Sequence, residues 1–209
     1  MHAIVGAGTG LGIARGLISR EKVTVLASEG GHVEYSPKSK LEWELKIWLK
    51  NYLKVERISC ERIISGTGLS RIAEWRLSKP DAQNHPLQKY LKEIKIFDAA
   101  RKDLPEKICN LSKEGDQLMM EVERIWLGAY ASLLGDVALQ ELCFGGLWIS
   151  GGTAPKHFKN FKSDLFMKHF FDKGRLKDIL KTIPMKIILD EEFGLFSAAC
   201  RAKMLLHVG

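Results

Sequence analysis

The chain has 209 residues, of which 45% are hydrophobic and 27% charged. That is the composition of a folded globular protein, and it excludes disorder, collagen and coiled-coil fibres. No apolar run reaches the roughly 18 residues that a membrane-spanning helix needs. The start, MHAIVGAGTG, has neither the basic nor the apolar region of a secretory signal. The net charge is +7, yet acids sit among the bases throughout. Even the most basic stretch, Lys156 to Lys181, carries Asp164, Asp172 and Asp178. It reads as a solvated face, and no nucleic-acid partner is expected. Cys60, Cys109, Cys143 and Cys200 form no CxxC pair. A structural zinc site and a disulfide framework are therefore not expected, and a cytoplasmic location is.

Along the chain, Ala3-Ile4-Val5 runs into the glycine-rich Gly6 to Gly12, then into the apolar stretch Ile13 to Ile18. With Val23 to Leu26, these segments predict a hairpin and a further strand. A loop, Ser28-Glu29-Gly30-Gly31-His32, follows. Leu41, Leu45, Trp48, Leu49 and Leu53 share one helical face, so 39–54 is predicted helical, with Pro37 at its entrance. Ile58 to Ile64 is expected to be a short strand ending in the Ser65 to Gly68 turn, followed by a helix over Leu69 to Leu77. In the poorly readable 79–115, Pro86 and Pro105 suit helix starts. A long helix is predicted from Asp116 to Gln140 on a stripe of Leu118, Val122, Ile125, Trp126, Ala129, Leu133 and Val137. A strand, Leu147 to Ser150, lies between the glycine pairs 145–146 and 151–152. A strand over Met185 to Leu189 and a helix over Leu195 to Leu206 close the chain. The alternation of strands and helices indicates the α/β class.

The glycine run is a candidate anion cradle, because glycine exposes successive backbone N–H groups. It satisfies neither the GxGxxG fingerprint, since positions 11 and 13 are Leu11 and Ile13, nor the GxxxxGK[ST] loop. About ten residues separate it from the next strand, too few for a parallel crossover. A phosphate held in a hairpin turn, with the Thr9 hydroxyl as an extra donor, is one reading; an ordinary turn is the other. Glu29 and His32 on one tight loop suit a polyhydroxyl ligand such as a sugar, or the histidine simply satisfies its loop. Glu61, taken alone, is more readily a surface glutamate. Gly151 and Gly152 suit the close approach of a flat base, or close strand–helix packing.

In order, Gly6-Ala7-Gly8-Thr9-Gly10-Leu11-Gly12, Glu29-Gly30-Gly31-His32-Val33, Glu61-Arg62-Ile63-Ile64-Ser65-Gly66, Gly145 to Gly152, Asp172-Lys173-Gly174-Arg175 and Gly194-Leu195 resemble the bacterial glucokinase family of the actin–hexokinase ATPase superfold. The resemblance implies the large-domain half of an actin/hexokinase-like (ribonuclease H-like) fold, a mixed sheet flanked by helices, over residues 1–189. It also implies a closing helix over 190–209 that packs on an N-terminal small domain. It assigns Gly8, Thr9 and Gly10 to nucleotide phosphate, Gly151 and Gly152 to adenosine, and Glu29, His32 and Glu61 to glucose. The implied reaction, at the entry to glycolysis, moves the ATP γ-phosphoryl group to the glucose 6-hydroxyl, with Mg²⁺ on the phosphates and no protein-bound metal.

A homodimer through this domain is a further implication. The family's DxGGT phosphate loop is not found in the sequence, and neither is the aspartate that serves as general base. No catalytic residue is therefore assigned, and the base is expected in the small domain. Thr67 stands where the family usually has proline, and Asp136 where it usually has asparagine. The cysteine-rich zinc motif of the related sugar-kinase and repressor group is not found. The competing expectation is an inactive remnant that binds sugar or nucleotide without turnover. Without a small domain against it, the closing helix is expected to expose Leu195, Phe196, Leu205 and Leu206.

Overall fold

The computed structural model describes residues 1–19, 22–94, 103–190 and 192–206. Strands β1 (His2–Ala7), β2 (Leu11–Ser19), β3 (Lys22–Leu26), β4 (Gly146–Ser150) and β5 (Met185–Ile187) form one mixed sheet in the order β3-β2-β1-β4-β5. The first three are antiparallel neighbours, while β4 runs parallel to β1 and β5 parallel to β4. The period-two alternation of β1 explains its central place. Ala3, Val5 and Ala7 are buried, and across the ladders they meet Leu147, Ile13, Ile149 and Leu11, which are buried too. Each larger apolar side chain buried this way stabilises the fold by about 1.5–3 kcal/mol.

Helix α1 (Lys40–Leu53) starts at Ser39, whose side chain accepts from the Glu42 N–H, and ends at left-handed Lys54. Leu45 and Leu49 of its predicted face are fully buried, Trp48 and Leu53 are half-buried, and Leu41 is exposed. The predicted strand over Ile58 to Ile64 is not formed. Only Ser59 makes a bridge, to Glu34, and Glu61–Ile64 is a helical turn, α2. A helical turn buries the adjacent Ile63 and Ile64 together, whereas a strand would point them to opposite faces. Helix α3 (Gly66–Leu77) follows directly, capped by the Ser65 side chain, which accepts from the Gly68 N–H.

Helices α4 (Leu87–Ile94) and α5 (Leu104–Lys113) begin near Pro86 and Pro105, as predicted. Helix α6 (Gln117–Glu141) begins at Asp116, whose side chain accepts from the Met119 N–H. It is buried almost all round from Met119 to Ala138, well beyond the predicted stripe, because β1, α2, α3, α5 and α7 all pack on it.

Two short helices in the lysine-rich stretch, α7 (Asp164–Phe170) and α8 (Lys177–Lys181), were not predicted. Phe166, Phe170 and Leu180 anchor them, while most of the lysines stay in solvent. The last helix, α9 (Phe193–Leu206), buries none of its residues, and Leu195, Phe196 and Leu206 are 74%, 65% and 82% exposed. No helix among the described residues is long and apolar enough to cross a membrane.

Candidate functional site

The β1–β2 register pairs Ala7 with Leu11, which leaves Gly8-Thr9-Gly10 as the connecting turn. The Gly8 N–H donates to the Gly10 carbonyl at 2.9 Å. The turn is pinned from the side by α3: the Gly66 N–H donates to the Gly8 carbonyl at 2.7 Å, and the Thr67 hydroxyl donates to the Thr9 carbonyl at 3.4 Å. The positive end of that helix thus lies against the turn, and Thr9 itself is exposed. Backbone N–H groups, one hydroxyl and a helix N-terminus make an arrangement suited to an anion.

The Ser28–His32 loop reaches the same place by a different route. Arg57 donates to the His32 carbonyl at 2.6 Å, the Cys60 N–H to Val33 at 2.9 Å, and the Tyr35 N–H to Ile58 at 2.8 Å. Lys46 bonds the Glu34 carboxylate at 2.7 Å and holds its pKa below the usual carboxylate range. The first three bonds fasten the loop to the segment that carries Glu61, and the Lys46 bond ties it to α1. A Cβ on buried Gly31 would lie 2.0 Å from the Leu11 carbonyl oxygen, so the loop backbone rests directly on the first residue of β2.

Glu61 joins the two parts. Its Oε2 accepts from the Leu11 N–H at 3.0 Å, and its Oε1 lies 4.0 Å from His32 Nδ1. His32 Nε2 in turn lies 3.7 Å from Glu29 Oε2. The sequence-predicted trio Glu29, His32 and Glu61 is therefore brought together beside the turn. Two carboxylates and an imidazole converge on one open surface, where Glu29 is 90% exposed. Such a set accepts and donates several hydrogen bonds at once, which is what neighbouring hydroxyls require.

Gly151 and Gly152 sit on the other flank of the turn. Gly151 has φ +88°, and a Cβ there would lie 2.3 Å from the Ala7 carbonyl oxygen; Gly152 faces open space. Thr153 anchors this corner, donating to the Ala7 carbonyl from its N–H at 3.2 Å and its hydroxyl at 2.9 Å. All eight predicted site residues therefore border one surface. Arg57 and Thr153, which help hold that surface in shape, were missed, although Thr153 follows the predicted Gly151–Gly152 pair; Gly66 was read only as part of a turn and a motif. A cavity of about 330 Å³ behind the loop, lined by Ser28, Gly30, Val33, Ser132 and Asp136 among others, takes no side chain from the trio or the turn.

A family model described as "Glucokinase" matches residues 1–205. The chain belongs to the glucokinase family. The glucokinase of Synechocystis sp. is 38% identical over 211 residues, covering 96% of this chain and 59% of that protein. The chain thus spans about three fifths of the length of the curated glucokinases it matches. Among solved structures, a glucokinase from an Antarctic psychrotroph superposes with a TM-score of 0.74 at 25% identity, covering 95% of this chain and 56% of that one. A glucokinase from Balamuthia mandrillaris, solved in complex with glucose, gives a TM-score of 0.70 at 21% identity, over 88% of this chain and 48% of that one. At that identity the likeness is one of fold, and it agrees with the actin/hexokinase-like mixed sheet flanked by helices.

Proposed function

We propose that this chain forms the large-domain half of an ATP-dependent glucokinase, with the sugar on the Glu29–His32–Glu61 side of the β1–β2 turn and the nucleotide on the Gly151–Gly152 side. The observation that carries the reading is the double engagement of Glu61. One of its oxygens faces the phosphate turn and the other the histidine of the sugar loop. A phosphoryl group and a hydroxyl held by these two neighbours are adjacent, as direct transfer between them demands.

In this reading Glu29, His32 and Glu61 bind and orient glucose hydroxyls. The backbone of Gly8 to Gly10 and the Thr9 hydroxyl receive phosphate oxygens, and Gly151 and Gly152 let the adenosine lie against the backbone. The residues around the turn fit phosphate rather than a bare divalent cation, since Glu61 is already hydrogen-bonded to Leu11. Mg²⁺ would neutralise phosphate charge in such a reaction, and no side chain of this chain is assigned to hold it. Glu29 and Glu61 are not the general base, because in this reading they are engaged with other glucose hydroxyls. That role, and the second phosphate loop, fall to an N-terminal small domain. Residues 1–189 are the large domain, and 190–209 carry α9, which closes on the small domain; the bare apolar face of α9 supports this. A cytoplasmic setting and a homodimer through the large domain complete the proposal.

Binding and turnover are measured separately. Glucose should quench or shift the fluorescence of the five tryptophans, and Glu29→Gln should weaken that response at least tenfold. ATP- and glucose-dependent formation of glucose 6-phosphate by this chain alone should be negligible and should rise when the small domain is supplied. A chain that shows no glucose response refutes the assignment of the sugar side, and robust turnover by the chain alone refutes the placement of the base. Glucose binding with no turnover under either condition favours the competing reading, a sugar-binding remnant.

A further inference from the structure

Cys109 on α5, Glu123 on α6 and His157 in the loop after β4 come together outside the site described above. One ligand atom from each lies within 4.8 Å of the other two. His157 is only 4% exposed, and its ring nitrogens make only long contacts. Cys109 Sγ is 3.7 Å from Nε2, Glu123 Oε1 is 3.7 Å from Nδ1, and Asn160 Nδ2 is 3.4 Å from Nδ1. The Cys109 and Asn160 contacts are long hydrogen bonds, and the Glu123 contact lies beyond the usual range of about 2.7–3.2 Å. An ion would take only one of the two ring nitrogens, together with a Cys109 sulfur and a Glu123 oxygen that lie within 4.8 Å of it and of each other. With bonds of about 2.3 Å to sulfur and about 2.0 Å to nitrogen, a tetrahedral zinc ion holds those two atoms roughly 3.5 Å apart.

The surroundings support the same conclusion. The Ser112 hydroxyl donates to Glu123 Oε2 at 2.6 Å, orienting the carboxylate and leaving Oε1 turned to His157. Metal ligands are commonly fixed by outer partners in this way. The imidazole lies against Trp126, ring centroids 4.7 Å apart, which sets its plane.

We propose that Cys109, Glu123 and His157 bind one zinc-class divalent cation, with water or a neighbouring carbonyl completing the coordination. Thiolate, imidazole and carboxylate together suit zinc over magnesium or calcium. The absence of a CxxC pair excludes only a chelate built from one short segment; here the ligands come from three separate elements. His157 belongs to the turn that begins at Gly151, its N–H donating to the Thr153 carbonyl at 3.1 Å. The ion would therefore tie the Gly151–Gly152 corner to α5 and α6. The site itself is independent of the kinase assignment.

The test uses the whole chain freed of metal by chelation. Zn²⁺ titrated against a chromophoric competitor should bind one equivalent, and Co²⁺ should give a thiolate charge-transfer band with tetrahedral ligand-field bands. Cys109→Ser should abolish the charge-transfer band and weaken Zn²⁺ binding at least tenfold; Glu123→Gln should weaken it tenfold to a hundredfold. Cys200→Ser, on exposed α9, should leave both unchanged. Should a variant fail to fold, the unaltered chain answers the question: bound Zn²⁺ should slow the alkylation of Cys109, identified by peptide mass, at least tenfold. No saturable binding, a charge-transfer band that survives Cys109→Ser, or unchanged Cys109 alkylation would overturn the proposal.

Discussion

Gly31→Ala adds one carbon where the loop crosses β2. The new Cβ would lie 2.0 Å from the Leu11 carbonyl oxygen, 3.0 Å from its carbon and 3.4 Å from the Leu11 Cβ. The obstacle is backbone fixed in a sheet ladder, so it cannot rotate away as a side chain would. Contact distance requires the loop to withdraw by roughly 1 Å, and overpacking of this kind costs about 1–3 kcal/mol. At the middle of that range the loss is about 2 kcal/mol, a fall in melting temperature of about 4–8 °C for a chain of this size. The withdrawal moves Glu29 and His32 away from Glu61, and a 1 Å misplacement of binding groups can cost on the order of 100-fold. Thermal unfolding and glucose titration by tryptophan fluorescence read the two effects. Gly12→Ala, where a Cβ meets nothing within 4 Å, serves as the control and should change stability by less than about 0.5 kcal/mol. A Gly31→Ala chain as stable as that control, with unaltered glucose affinity, would refute the reasoning.

Three further outcomes are expected. Trp126→Phe removes an indole N–H that donates to the carbonyls of Ile64 at 2.9 Å and Ser65 at 3.2 Å; leaving them bare and the ring smaller should cost about 2–4 kcal/mol by denaturant unfolding. It should also weaken nucleotide binding, because Ser65 and Gly66 start the helix that pins the turn. Thiol labelling at pH 8 should modify exposed Cys200 first and buried Cys60 only on unfolding, since burial pushes the Cys60 thiol up to about 12; rapid labelling of Cys60 in the folded chain would contradict its placement. The chain should bind an apolar dye, and Leu195→Glu with Phe196→Lys should reduce that binding without altering the glucose response.

Long periodic elements were legible in the sequence because their burial is one-sided or their caps are local. The face of Leu45 and Leu49 gave α1, the stripe through Val122, Trp126 and Leu133 gave α6, and the apolar Ala3-Ile4-Val5 ahead of the glycine run gave β1. The segment Ile58 to Ile64 was misread because an apolar run so short fits either state. Tertiary contact decides it: the Ile64 carbonyl is held by the Trp126 indole, and the Glu61 carboxylate must reach the Leu11 N–H. Helices α7 and α8 were hidden by their lysines, with Phe166 and Phe170 as the few anchors. Within the site, the residue types and their order were readable, but the reasons behind single glycines were not. Nothing local says that Gly31 faces the Leu11 carbonyl or Gly151 the Ala7 carbonyl. The Cys109–Glu123–His157 cluster was invisible for the same reason, since its ligands converge only after α5 and α6 have packed.

The position of Glu61 has an energetic consequence that neither half of the site explains alone. A Cβ on Gly10 would lie 2.8 Å from Glu61 Oε2, so glycine there is what admits the carboxylate to the Leu11 N–H. The same N–H belongs to the strand that carries the phosphate turn. A hydroxyl that draws Glu61 toward the sugar stretches this bond, and a phosphate that shifts the turn alters where Glu61 rests. Under the proposed assignment the two ligands are therefore expected to change each other's affinity by one shared factor, as linkage requires. Gly10→Ala pushes on a carboxylate that can swing aside, so its cost in stability should be smaller than that of Gly31→Ala. Its effect should fall on the coupling instead: the factor by which glucose alters nucleotide affinity should move toward one. Equal coupling in Gly10→Ala and the unaltered chain would mean that Glu61 does not carry it.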